Sequence, residues 1–163
     1  LSEVFEQIRE SLESCGPPVC IIGVGNRLRA DDAAGCLVID KLAAAPLSAK
    51  LIDAGTAPEN YIGPVRRLRP KSLLIIDAVD FGAAAGAVRL FGPGELDSTV
   101  FSTHSLSPRV FIDMVGAGRR CAAWLVGIQP GGTVLGGPVG EGISRAVNDL
   151  ASLLSEVFSA CRA

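Results

Sequence analysis

The sequence predicts an α/β fold: a three-layer α/β/α sandwich around a mostly parallel five-stranded sheet. Apolar runs of strand length alternate along the chain with segments of helical periodicity. The runs are continuous rather than alternating, the pattern of strands buried on both faces. The chain has 163 residues, 48% hydrophobic and 20% charged, which suits one globular domain spanning 1–163. At this length about 70% of the unfolded surface can be buried.

Each element has its own warrant. Residues 2–14 place Val4, Phe5, Ile8 and Leu12 at helical spacing, and Gly16-Pro17-Pro18 stops the helix. Residues 1–18 thus form an extra N-terminal helical segment. Residues 19–24 are an unbroken apolar strand. Residues 31–45 follow as a helix with Leu37, Val38 and Leu42 on one face, and residues 49–53 as a second strand. Residues 58–68 read as helical around Gly63-Pro64, a pair able to break the helix. Residues 72–77 are the clearest strand, a Leu-Leu-Ile-Ile run ending in Asp77. A shorter strand at 87–91 follows the turn at 82–86. Residues 107–115 are a helix, 121–128 a strand, and 140–160 a long closing helix.

Fifteen basic residues against 17 acidic ones give a net charge of -2, which excludes a binder of the nucleic-acid backbone. Mean hydropathy is high, +0.40. Yet the most apolar runs are far shorter than the roughly 20 residues that span a bilayer, so no membrane partner is expected. The first residues lack a basic region followed by an apolar one, and a cytoplasmic protein is expected. Cysteines 15, 20, 36, 121 and 161 form no close pair. They read as reduced, mostly buried thiols, not as a disulfide framework or thiolate zinc site.

In parallel sheets, ligands bind outside the carboxyl ends of the strands. The first strand is followed by Gly25-Asn26-Arg27 and then Asp31-Asp32; the second ends in Asp53-Ala54-Gly55-Thr56; the third ends in Asp77. The only histidine is His104, ahead of a helix. If strands one and three are neighbours, Asp32, Asp77 and His104 converge at one edge. Two carboxylates and an imidazole suit a divalent transition metal, with positions left for water or substrate. Binding through a neutral imidazole weakens below about pH 6. Structural roles stand beside this. Asp31 can cap the following helix, and a lone histidine is most often structural. Asp77 is harder to assign so, because a carboxylate among apolar residues needs a partner. Gly23 and Gly25 begin a dinucleotide fingerprint that Leu28 breaks at its third position. Close backbone approach is the other role for these glycines. Cys36, Cys121, Met114 and Trp124 read as core, and Arg66, Arg67 and Arg69 as a solvated helix face.

Taken in order, several blocks resemble the [NiFe]-hydrogenase maturation endopeptidases, nickel-dependent aspartate-rich proteases. They are Gly23-Val24-Gly25-Asn26 with Asp31-Asp32, Asp53-Ala54-Gly55-Thr56-Ala57-Pro58-Glu59-Asn60, Leu74-Ile75-Ile76-Asp77-Ala78-Val79-Asp80, Thr103-His104-Ser105-Leu106 and Gly127-Ile128-Gln129-Pro130. The resemblance covers the chain from about residue 19 and is nearest the branch serving hydrogenases of the formate-hydrogenlyase type. It implies the same α/β/α fold, and removal of a C-terminal extension from the hydrogenase large-subunit precursor after nickel insertion. It implies Asp32, Asp77 and His104 as catalytic and metal-contacting residues, and Asp53, with Gly55 and Thr56 in its block, as substrate-recognising. The metal implied is nickel, substrate-borne or transiently bound; cadmium or zinc can take its place in vitro. A substrate-borne nickel is favoured, because three ligands on open loops make a weak site alone. A non-enzymatic nickel-recognising adaptor would need the same trio. Departures from the pattern are Ala33 for a glycine and Gly140 for a polar residue, which leaves the last helix without an obvious cap.

Overall fold

The computed structural model describes residues 2–13, 16–96, 106–116 and 121–159. Five strands form one sheet: β1 (Val19–Val24), β2 (Ala49–Gly55), β3 (Ser72–Ala78), β4 (Val88–Phe91) and β5 (Ala122–Ile128). Their order is β2-β1-β3-β5-β4, with β4 alone antiparallel. Every residue of β1 and β3 is buried, as expected of central strands in a covered sheet, whereas the edge strands β2 and β4 are partly exposed. The expected mostly parallel five-stranded sheet is therefore present, and β1 and β3 are neighbours.

The helices are α1 (Ser2–Glu13), α2 (Ala34–Leu42), α3 (Ile62–Leu68), α4 (Pro108–Gly116) and α5 (Glu141–Val157). One apolar cluster joins α1, α2 and α5 to one face of the sheet, and a second joins α3 and α4 to the other. The N-terminal segment is part of the first layer: Ile8 and Leu12 are buried in it, and Arg9 reaches Glu156 of α5 at 2.7 Å.

Three expectations are refined. The helix expected at 31–45 opens as a 3-10 turn, Ala30–Ala33, and its α-helical part ends at Leu42. Gly63-Pro64 does not break α3. Pro64 lies in the first turn, where an N–H would have no partner within the helix, and the 3-10 turn Pro58–Tyr61 leads in. Met114 is not core: α4 turns Phe111 and Val115 inward, one helical turn apart, leaving Met114 46% exposed on the other stripe. Trp124 and Cys121 are part-buried against the two clusters. Cys20 and Cys36 are buried thiols pushed up to about 12 by burial, consistent with packing roles. Cys15 and Cys161 lie outside the described residues. Among the described residues no helix is long and apolar enough to cross a membrane.

Two glycines set the distance between α2 and the sheet. A β-carbon on Gly35 would lie 2.2 Å from the carbonyl oxygens of both Val24 and Ile76, and one on Gly23 would lie 2.4 Å from the Gly35 oxygen. Helix and strands thus meet backbone to backbone. The Gly35→Ala variant should lose about 3 kcal/mol, the upper end of ordinary overpacking costs, because main-chain atoms have to move. Thermal unfolding should show a midpoint about 6–12 °C lower; an unchanged midpoint would contradict the close approach.

Candidate active site

The order β2-β1-β3 places a topological switch point between β1 and β3, where crevices form at the carboxyl ends of strands. Both candidate acids that the structure describes stand there. Asp32 lies in the 3-10 turn, three residues before Gly35, whose backbone abuts Ile76; Asp77 is the next residue after Ile76. Asp77 ends the apolar run of β3, and its Oδ1 accepts the N–H of Ala78 at 2.8 Å. His104 lies outside the described residues. Among the described residues no three His, Cys, Asp or Glu side chains form a metal-sized cluster.

The loop carrying Asp32 is tightly folded. Leu28 N–H donates to Asn26 Oδ1 at 2.9 Å, Arg29 N–H to Asn26 O at 3.0 Å, Asp32 N–H to Arg29 O at 3.0 Å, and Asn26 N–H back to Asp32 O at 3.0 Å. Gly25, at φ 152°, would place a β-carbon 2.1 Å from Asp32 O, so only glycine closes the loop. Ala30 takes a left-handed conformation, φ 48°, which costs roughly 1–2 kcal/mol in a residue with a side chain. One expectation is corrected. Asp32 and Asp77 are not on open loops; both are 0% exposed, because α2 closes directly onto the strand ends.

Asp31 shows what sequence reading missed. It does not cap the helix that follows it, since neither the 3-10 turn nor α2 has a side-chain cap. Its Oδ2 instead accepts the N–H groups of Gly131 and Gly132 at 2.8 and 2.9 Å, and its Oδ1 that of Gly140 at 2.7 Å. Gly140 is the N-cap of α5, so an anion from a distant turn serves the helix N-terminus that has no cap of its own. Gln129, buried at the end of β5, has a similar task. Its side-chain oxygen accepts from Phe81 and Ala83 N–H at 2.8 and 3.2 Å, and its Nε2 donates to Asp80 at 3.0 Å.

Asp53 sits where the β1–β2 register slips: it stands opposite Gly23, and Gly55 opposite Val24. Arg27 Nη2 donates to Asp53 at 2.6 Å while the same guanidinium grips Asp40 through bonds of 2.6 and 2.9 Å. Gly55 N–H donates to the other Asp53 oxygen at 3.0 Å. Burial pushes the Asp53 carboxyl up, but Arg27, Cys36 and Gly55 together hold it below its ordinary value. Gly55 is left-handed, φ 54°, and its carbonyl accepts Gly25 N–H at 2.9 Å, tying the two loops together; Thr56 is exposed beside it.

Two outcomes follow. Asp31→Ala should cost about 2–3 kcal/mol, because three amides lose a charged acceptor. Hydrogen exchange should accelerate selectively at Gly131, Gly132 and Gly140, and equal exchange in both proteins would refute the anchor. Because the Asp53 pKa is depressed, its ion pair adds stability above the unfolded carboxylate value, lost as pH falls through the folded one. Arg27→Met should therefore move the Asp53 NMR titration upward and narrow its stability deficit below about pH 4. A titration midpoint that stays put would count against the pairing.

With this geometry in hand, the likenesses to known proteins become specific. The hydrogenase maturation protease family HycI matches residues 36–158. The Hydrogenase 3 maturation protease of Escherichia coli (strain K12) is 39% identical over 112 residues, 68% of this chain and 71% of that protein. The crystal structure of the [NiFe] hydrogenase maturation protease HycI from Thermococcus kodakarensis superposes with a TM-score of 0.83 at 27% identity, covering 93% of this chain and 97% of the other. The solution structure of the endopeptidase HycI from Escherichia coli gives 0.76 at 34% identity, covering 86% and 92%. A match of this extent in sequence, joined to the same sheet and helices, places the chain in the HycI-type family of hydrogenase maturation proteases, and it is a peptidase.

Proposed function

We propose that the chain is the cytoplasmic endopeptidase that removes the C-terminal extension of a [NiFe]-hydrogenase large-subunit precursor once nickel has been inserted. The observation that carries this reading is the placement of Asp32 and Asp77, from distant parts of the chain, at the carboxyl ends of adjacent strands. Both are fully buried carboxylates. Two such oxygens with the His104 imidazole suit a borderline divalent cation such as nickel.

In this reading the nickel belongs to the substrate. Asp32, Asp77 and His104 contact it, and Asp53, with Gly55 and Thr56, meets the polypeptide beside it. Nickel serves as the handle by which a loaded precursor is told from an empty one, so insertion precedes cleavage. The peptidase relatives favour this over an adaptor that holds the precursor without hydrolysis.

Incubation with nickel-loaded and nickel-free precursor, followed by mass spectrometry, tests the reading: only the loaded form should lose its C-terminal segment. Asp77→Asn and His104→Ala should each slow that loss by more than the 10–100-fold typical of residues that only support a metal ligand, with circular dichroism unchanged. Normal cleavage by either folded variant would remove the site. Equilibrium titration of the free chain with nickel separates the two sources of the metal: tight stoichiometric uptake would overturn the substrate-borne assignment.

A further inference from the structure

Leu28, Val134 and Leu135 are 69%, 70% and 67% exposed, the three most exposed large apolar side chains among the described residues. They gather on two loops that are tied together. Gly136 N–H donates to Leu28 O at 2.8 Å, and Asp31, three residues after Leu28, holds Gly131 and Gly132. Between the loops runs a groove of about 320 Å³ lined by Arg27, Leu28, Leu135, Gly136 and Gly137. A second hollow of about 430 Å³ adjoins it at Gly137 and has Val134, Ala30 and Asp31 in its walls.

We propose that this groove is a substrate-docking surface that takes an extended, apolar stretch of the precursor polypeptide next to the scissile bond. The inference rests on the function proposed above and adds where the polypeptide lies. Four features select this occupant. The chain is a peptidase, so a polypeptide has to approach the candidate acids, and the groove borders the loop that ends in Asp32. Apart from Arg27 its walls are leucines and glycines, and clustered exposed apolar surface marks an interaction site. No side chain rises from positions 136 and 137, and the space where a Gly136 β-carbon would stand is open, so a second backbone can come close. The guanidinium at the groove's end is held by both Asp40 and Asp53, so it presents no unpaired positive charge to an approaching segment.

The test uses the full chain and the nickel-loaded precursor. The double variant Leu28→Asp/Leu135→Asp should fold normally, since both side chains are mostly in water. It should raise KM at least 10-fold with little change in kcat, the signature of lost uniform binding. Leu28→Met/Leu135→Met should restore the wild-type KM, and Met114→Asp, on the exposed stripe of α4, should leave it unchanged. In parallel, precursor binding to Asp77→Asn chains with and without the two aspartates should differ at least 10-fold in Kd. If the wild type cleaves and the double variant keeps its KM, the groove proposal falls while the function stands. If the wild type binds without cleaving, the function reading falls and the Kd comparison alone decides the groove. If the precursor does not bind at all, both fall. Sedimentation that shows a dimer broken by the double variant, with KM unaltered, would assign the groove to a second copy of the chain and overturn the proposal.

Discussion

The absence of a side chain at Gly35 governs the architecture of the candidate site. A β-carbon there would lie 2.2 Å from carbonyl oxygens on two different strands. Nothing larger than hydrogen lets α2 enter at the point where β1 and β3 part company. Once it enters, the 3-10 turn ahead of it is forced against the strand ends. At about three residues per turn, neighbours in that turn point roughly 120° apart. Asp31 and Asp32 therefore cannot do the same job, although they are chemically identical and adjacent. Asp31 turns outward to the glycine-rich loop, while Asp32 remains at the switch point with Asp77.

The acids around this point differ in how their charge is met. Asp31 is held by three backbone N–H groups, an arrangement that satisfies a carboxylate without any cation. Asp53 is held by Arg27, which Asp40 shares, and stays partly in water. Asp32 and Asp77 have no solvent exposure at all. The contrast separates their places in the fold: Asp31 fixes a loop, Asp53 is joined through Arg27 to the first loop and to Asp40, and Asp32 and Asp77 lie out of contact with solvent at the strand ends.

What could be read from the sequence follows the range of the interactions involved. Strand runs such as residues 19–24 and 72–77 carry their burial in their own composition, so the sheet was legible. So was the adjacency of β1 and β3 as the condition for a site, and Asp77 as a carboxylate in an apolar setting. Asp31 was not legible, because its partners lie 100 residues and more away and are backbone amides, which any residue supplies equally. Arg27 reads as one more surface charge until the register slip in β2 brings Asp53 under it. The burial of Asp32 was hidden for a similar reason. Its loop is polar in composition, and only the close approach at Gly35 shuts it from water.

Loops beside an active site are usually its least ordered part. Here polar side chains tie several of them to other elements. Asp31 ties the 131–140 segment to the acid-bearing turn, Gln129 ties the 80–83 turn to the end of β5, and Arg27 ties the first loop to β2 and α2. Each tie joins segments far apart in sequence, so each removes conformational freedom that substrate binding would otherwise have to remove. A site ordered in advance binds a partner with less loss of entropy, but it accepts only partners whose shape it already fits. That suits a selective peptidase: discrimination comes from geometry set before a substrate arrives, and the apolar surface left in water at Leu28, Val134 and Leu135 is the part of that geometry that the isolated chain leaves uncovered.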